Sequence, residues 1–145
     1  MYPEIMLVPM REELTRLGIE EAKTAEAVDD AVRQTEGTLM VVVNSVCGCA
    51  AGKMRPGIRR ALEHANKPAR SITVFAGQDR EATDRARGYF SGFPPSSPSI
   101  GFLREGKLVH MIQRSDIEPR SAEQIAEILQ QAFDQYCTPA GSSKN

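Results

Sequence analysis

Two of the chain's three cysteines stand one glycine apart, in Val46-Cys47-Gly48-Cys49-Ala50, directly after an apolar run. Thiols at that spacing have three uses: a redox pair, two donors of a soft-metal site, or two small residues of a core. A disulfide across one intervening residue closes a small ring, and Gly48 opposes the bend least. Such a bond is strained and more easily reduced than a relaxed structural one, which suits exchange chemistry. A metal site would need about four Cys or His ligands. His64 lies roughly 20 Å from the pair, at about 1.5 Å of rise per helical residue. His110 falls in a hairpin and Cys137 ends the last helix, so only a two-thiolate site of the kind that suits Cu(I) remains open.

At the pair the chain turns from a buried strand into a helix, the place where ligands gather in open α/β sheets. A helix N-terminus offers unpaired N–H groups and the positive end of the macrodipole, both of which stabilise a thiolate. Cys47, the outermost thiol, should gain most and have a lowered pKa, with Lys53 and Arg55 adding positive potential. Placement thus favours redox chemistry for Cys47 and Cys49. No histidine is placed to act as base beside Cys47. Cys137 reads as a partly buried small residue, His64 as part of a solvated helix end, and His110 as pointing out of its hairpin. Arg55, Arg59 and Arg60 read as a solvated helical face.

The elements that position the pair follow from hydrophobic period. Ala25, Val28, Ala31 and Val32 share one face of a helix opened by Thr24 and closed by Gly37. Thr38 to Ser45 is uniformly apolar and β-branched, the pattern of a central buried strand. Ala50 to Asn66 is helical through Met54, Ile58, Ala61, Leu62 and Ala65, with Pro56-Gly57 kinking it or splitting off its first turn. "RSITVFAG" gives a second buried strand and "QDREATDRARGYF" a short polar helix. The turn-rich "SGFPPSSPS" leads into a hairpin around Glu105-Gly106. The last helix runs from a capping box at Ser121 and Gln124 to about Tyr136, burying Ile125, Ile128, Leu129, Ala132 and Phe133. Helical crossovers plus a hairpin predict an α/β fold: a central mixed sheet with helices on both faces.

At 145 residues, 41% hydrophobic and 26% charged, the chain has room for one domain. It is expected over 1–137, residues 1–17 forming an N-terminal extension and 138–145 a disordered tail. Lys and Arg number 18 against 19 Asp and Glu, a net charge of -1, so nothing steers the protein to nucleic acid or an anionic membrane. "MYPEIMLVPMREELTRLG" has neither a basic leader nor a small-residue cleavage site, and no run approaches the roughly 18 apolar residues of a membrane span. A cytoplasmic protein is expected, and in that reducing compartment close cysteines are more often catalytic or metal-binding than structural.

The order of elements is similar to the thioredoxin fold. The resemblance rests on Cys-Gly-Cys at a strand-to-helix turn, Pro56 in the following helix, and Ser97-Pro98-Ser99-Ile100-Gly101-Phe102-Leu103-Arg104-Glu105-Gly106. More narrowly, "VVVNSVCGCAAG", "TVFAGQD", "EAT", "YF", "PPSSPS" and "LVHMI" resemble the bacilliredoxin family, small thioredoxin-like proteins with a Cys-X-Cys active site, from about Val8 to Cys137. The resemblance implies a thiol-disulfide oxidoreductase that removes bacillithiol from S-bacillithiolated proteins, with disulfide isomerase activity also attributed to the family. It makes Cys47 the nucleophile and Cys49 the second thiol, with Gly48 between them. Pro98, with a cis bond from Ser97, shapes the face that binds an extended substrate. The low-molecular-weight thiol is the only co-substrate implied, with no metal, flavin or nucleotide, and S-thiolated client proteins are the partners. Val41 and Val46 stand where thioredoxins carry a buried acid and a Trp. The rival function is a copper carrier or thiol-bearing adaptor that uses the pair without turnover.

Overall fold

The computed structural model describes residues 2–137, so the tail expected at 138–145 lies outside the described residues. Helix α1 (Glu4–Thr15) comes first, then a two-residue strand β1 (Glu20–Glu21), α2 (Ala25–Gln34) and β2 (Thr38–Asn44). A π-helical turn (Ala50–Met54) precedes α3 (Arg55–Ala61), β3 (Arg70–Phe75) and α4 (Arg80–Gly88). The hairpin β4 (Ser99–Arg104) and β5 (Lys107–Ile112), then α5 (Arg114–Ile117) and α6 (Ala122–Tyr136), complete the chain.

The five strands lie in the order β1-β3-β2-β4-β5. β1, β3 and β2 run parallel, and β4 and β5 join antiparallel, which makes the sheet mixed as the crossovers and hairpin required. β2 is central and buried along its whole length. Because successive side chains alternate, Met40 and Val42 enter one core with α3 and α6, while Leu39, Val41 and Val43 enter the other with α2 and α4. A Cβ at Gly57 would stand 2.7 Å from Ile125 Cγ2, so the missing side chain is what lets α3 lie close on α6. The hairpin turns on Glu105 (φ 52°) and Gly106 (φ 78°), the two positive φ values that a tight two-residue loop matching strand twist needs.

Expected caps are present: Thr24 accepts from Ala27 N at 3.0 Å, and Ser121 and Gln124 form the capping box of α6. Four regions differ from expectation. The N-terminal extension is a helix that continues through Pro9, because its buried face is Leu7, Arg11 and Leu14 and Pro9 points outward. α3 stops at Ala61 rather than Asn66, and His64 beyond it bonds Asp134 of α6 at 2.8 Å. α5, an element the hydrophobic period did not mark, is set by reciprocal bonds between Gln113 and Asp116. His110 does not project from the hairpin. It stacks on Tyr136 at 5.2 Å and leans on Phe102, and burial lowers its pKa.

Candidate active site

β2 ends at Asn44, and the turn that follows is anchored by a buried charge. Arg55, only 2% exposed, donates from Nη1 to Asn44 Oδ1 and to the Ser45 carbonyl, both at 2.9 Å, and from Nε to Glu13 Oε1 at 2.9 Å. Asn44 Oδ1 also accepts from Ser45 N at 2.9 Å, while Asn44 Nδ2 donates to the Met10 carbonyl at 3.2 Å. This corrects the expectation of a solvated arginine face: Arg59 and Arg60 are exposed, but Arg55 is turned inward because carbonyl, amide and carboxylate oxygens satisfy its guanidinium. The strand end is thereby tied to both α1 and α3.

From that anchor the chain presents Ser45 (buried), Val46, Cys47 and Cys49 (each half-buried) and Gly48 (exposed). All three cysteines of the protein are free thiols. The Ser45 hydroxyl donates to Cys47 Sγ at 3.1 Å and accepts from Cys47 N at 3.3 Å. The N–H groups of Ala50 and Ala51 both point back to the Cys47 carbonyl at 3.1 Å. The first turn is then wound as a π-helix: Arg55 N donates to Ala50 O, five residues back, and regular helix resumes at Arg55. Pro56, with no N–H, cannot extend an α ladder backward, so the expected split of the first turn takes this form.

Burial pushes the Cys47 thiol up. The Ser45 hydroxyl, the N–H groups of Ala50 and Cys49 and the positive charge of Arg114 outweigh it and hold the thiol below its ordinary value. The expected direction is present and the expected helix-start N–H groups are part of its cause, but the positive charge comes from Arg114, since Lys53 is engaged with the Glu118 carbonyl and Arg55 with the strand end. Cys137 is the opposite case. It is 3% exposed, and burial pushes its thiol up to about 11 despite the Thr38 hydroxyl and the charge of Arg104.

Cys47 opens onto a groove of about 340 Å³ whose walls include Ser45, Val46, Ala76, Gly77 and Ser97. The Ser97–Pro98 bond is cis. Ser97 shares the groove with Cys47, Pro98 is buried and does not line it, and neither Gly48 nor Cys49 does. Two groove residues escaped the sequence reading, Arg87 from the last turn of α4 and Arg114 from the start of α5. Separated by 27 positions and embedded in polar segments, they carry no local motif, and only the fold brings them to the thiol. Arg87 Nη2 donates to the Ser96 carbonyl at 3.3 Å and Arg114 Nη1 to the Ser97 carbonyl at 3.1 Å. Among the described residues no group of three or more His, Cys, Asp or Glu side chains is placed to hold a metal ion. No helix among them is long and apolar enough to cross a membrane.

The family profile described as "Disulphide isomerase" matches residues 2–137. A bacilliredoxin of Koribacter versatilis is 82% identical over 145 residues, the whole of both chains. A bacilliredoxin of Cytophaga hutchinsonii is 50% identical over 93% of this chain and 99% of its own, and one of Geobacillus kaustophilus is 50% identical over 94% of each. Among solved structures, the oxidised thioredoxin of Plasmodium falciparum superposes with a TM-score of 0.58 at 16% identity, covering 83% of this chain and 99% of its own. Mitochondrial thioredoxin 3 of Saccharomyces cerevisiae does so with a TM-score of 0.56 at 15% identity, covering 81% and 95%. The last two likenesses concern the fold alone.

Proposed function

The chain belongs to the bacilliredoxin family of thioredoxin-fold thiol-disulfide oxidoreductases, and on that premise we propose that it lifts a low-molecular-weight thiol, bacillithiol, from S-thiolated protein cysteines in the cytoplasm. The observation that carries the proposal is Cys47: a half-exposed sulfur on a groove, its pKa lowered by a hydroxyl, two backbone N–H groups and an arginine. A thiolate is the attacking form in disulfide exchange, so such a sulfur is primed to attack.

In the proposed reaction Cys47 Sγ⁻ attacks the small-thiol sulfur of the mixed disulfide. A new S–S bond forms between them, the old one breaks, and the client cysteine leaves as a thiolate that takes a proton from water. Cys49 then attacks Cys47 Sγ, releasing the small thiol and leaving the intramolecular disulfide. A second small-thiol molecule attacking the adduct is the other route to release. Ser97, on the groove wall beside Cys47, presents main chain to an extended client segment, with Pro98 fixing the path of the chain behind it. The same exchange directed at a protein disulfide is isomerisation, the activity in the family profile's description. No cofactor other than the small thiol takes part.

The test presents reduced protein with one client carrying bacillithiol, the same client carrying glutathione, and a scrambled-disulfide protein. Cys47→Ser should lower transfer by roughly a thousandfold or more, the scale of removing a nucleophile. Cys49→Ser should still react and accumulate the small-thiol adduct on Cys47, read by mass spectrometry. An adduct found only on Cys49 would reverse the two roles, and Cu(I) binding without any transfer would replace the proposal with metal carriage.

A further inference from the structure

Arg87 stands out among the described arginines. Its Nε is buried with no hydrogen-bond partner in the protein, and no carboxylate lies within ion-pair distance among the described residues. The other inward-turned arginines are answered: Arg11 meets Glu4, Glu21 and Asp79, and Arg55 meets Glu13. A buried guanidinium nitrogen left unpaired costs stability, and few native groups are left so without a partner from outside the protein, a water, an ion or a ligand. Arg87 lines the Cys47 groove, where no acidic side chain is present to neutralise it.

Arg114 is its neighbour. The two guanidiniums hold the consecutive carbonyls of Ser96 and Ser97, so both are braced against one short backbone segment. Arg114 also bonds Glu118 at 3.2 Å, yet its field reaches Cys47, where it favours the thiolate. The groove thus offers two planar donor sets beside a nucleophilic sulfur, in a volume of about 340 Å³. That is at the small end of pockets that hold small molecules.

We propose that Arg87 and Arg114 bind carboxylates on the small-thiol half of the mixed disulfide, so that the site takes acidic low-molecular-weight thiols and seats that half's sulfur against Cys47. This rests on the transfer reaction above and adds its selectivity. A mixed disulfide offers two sulfurs, and attack on the client's would give a client–enzyme bond and free the small thiol. Anchoring the acidic half beside Cys47 decides which sulfur is struck: the bond forms from Cys47 to the small thiol, and the client cysteine departs with the electron pair of the broken bond. Arg87, which has no carboxylate partner among the described residues, supplies planar N–H donors for a carboxylate, and Arg114 supplies the second charge.

The experiment uses one uncharged client peptide with a single cysteine, blocked as its mixed disulfide with mercaptosuccinate (two carboxylates), 2-mercaptoethanol (neutral) or cysteamine (cationic). Transfer to the full chain carrying Cys49→Ser, which retains the adduct, is followed by intact mass. The mercaptosuccinate adduct should react about tenfold faster than the neutral one, with cysteamine slowest, the scale of a charge-assisted contact in a partly open site. Arg87→Gln should remove about tenfold from the mercaptosuccinate rate and cost the 2-mercaptoethanol rate much less, so that the ratio of the two falls towards one, with an unchanged thermal unfolding midpoint reporting that the variant is folded. It should shift product from small-thiol adduct toward peptide adduct, while Arg87→Lys should recover part of the rate. Equal wild-type rates for the three adducts would overturn the inference and leave the transfer reaction standing. So would Arg87→Gln slowing all three alike, or a preference that follows carboxylates moved onto the peptide. Transfer of none of the three would overturn the reaction and the inference together.

Discussion

Cys47 lies where β2 hands the chain to a helical turn, half-buried on a groove, whereas Cys137 caps the C-terminal end of α6 with 3% of its surface exposed. Burial pushes both thiols up, and at both it is the largest single influence. What separates them is the company each sulfur keeps. Cys47 has a serine hydroxyl, two N–H groups that open a helix, and an arginine whose field reaches it, and together they win. Cys137 also has a hydroxyl, on Thr38, and a nearby charge, on Arg104, but backbone N–H groups do not join them at this end of the helix, and burial prevails. Reactivity therefore follows from which end of a helix a thiol sits at and how many donors remain free for it, not from the residue type.

The sharpest way to break the contrast is selective alkylation. At pH 7 a thiol with a pKa of about 11 is ionised in roughly one molecule in ten thousand, while one below its ordinary value exceeds about one in a hundred. Iodoacetamide should therefore modify Cys47 at least about tenfold faster than Cys137, the ionisation difference less the greater reactivity of the more basic thiolate, as peptide mapping over time would record. Comparable rates would mean that α6 frays at its C-terminus or that the groove shields Cys47.

The second test sets the thiols against each other through stability. Cys137 has a raised folded pKa, so its contribution is fully present below the ordinary value of 9.0 and is lost as pH rises towards about 11. Over that window the wild type should lose about 2–3 kcal/mol from this group, two pKa units at about 1.4 kcal/mol each. Cys47 has a lowered folded pKa and works in the opposite sense, its contribution being lost only as pH falls through that value. Urea midpoints at pH 8 to 11 should fall less steeply in Cys137→Ser than in wild type, and more steeply in Cys47→Ser. Parallel curves for all three proteins would show that neither environment survives in solution.

Much of this contrast has a visible origin in the sequence. The strand-to-helix turn that carries Cys47 could be placed because an unbroken apolar run has one comfortable home, the middle of a sheet. α6 could be placed because its capping box and its apolar stripe agree. What stayed hidden is buried charge. Arg11 occupies the middle of the inner face of α1, and Arg55 the inner face of α3, both satisfied by oxygens distant in sequence. An apolarity pattern sends such residues to solvent, which is why α1 read as an extension and Arg55 as a surface group. Arg87 and Arg114 escaped for the related reason that a basic residue in a polar segment looks the same whether it meets water or a thiolate. Pro98 was legible through the resemblance and the turn-rich segment around it, but its burial was not.

The smallest expected effect isolates one member of Cys47's company. Ser45→Ala removes the hydroxyl that donates to Cys47 Sγ at 3.1 Å and leaves the N–H groups and Arg114 in place. The Cys47 pKa should rise, so less thiolate is present near neutrality. A more basic thiolate is also a better nucleophile, with about half of the pKa change returned as intrinsic reactivity. The two effects oppose each other at neutral pH and only the second survives once the thiol is fully ionised. Transfer should accordingly fall by about threefold near pH 7 and rise by about threefold at high pH, so that the two pH–rate profiles cross. A profile that superimposes on wild type would remove the hydroxyl from the account and leave the helix-start N–H groups and Arg114 to hold Cys47 apart from Cys137. A drop of the same factor at every pH would instead mean that Ser45 shapes the turn, through its acceptance from Cys47 N, and does not act on the charge of the sulfur.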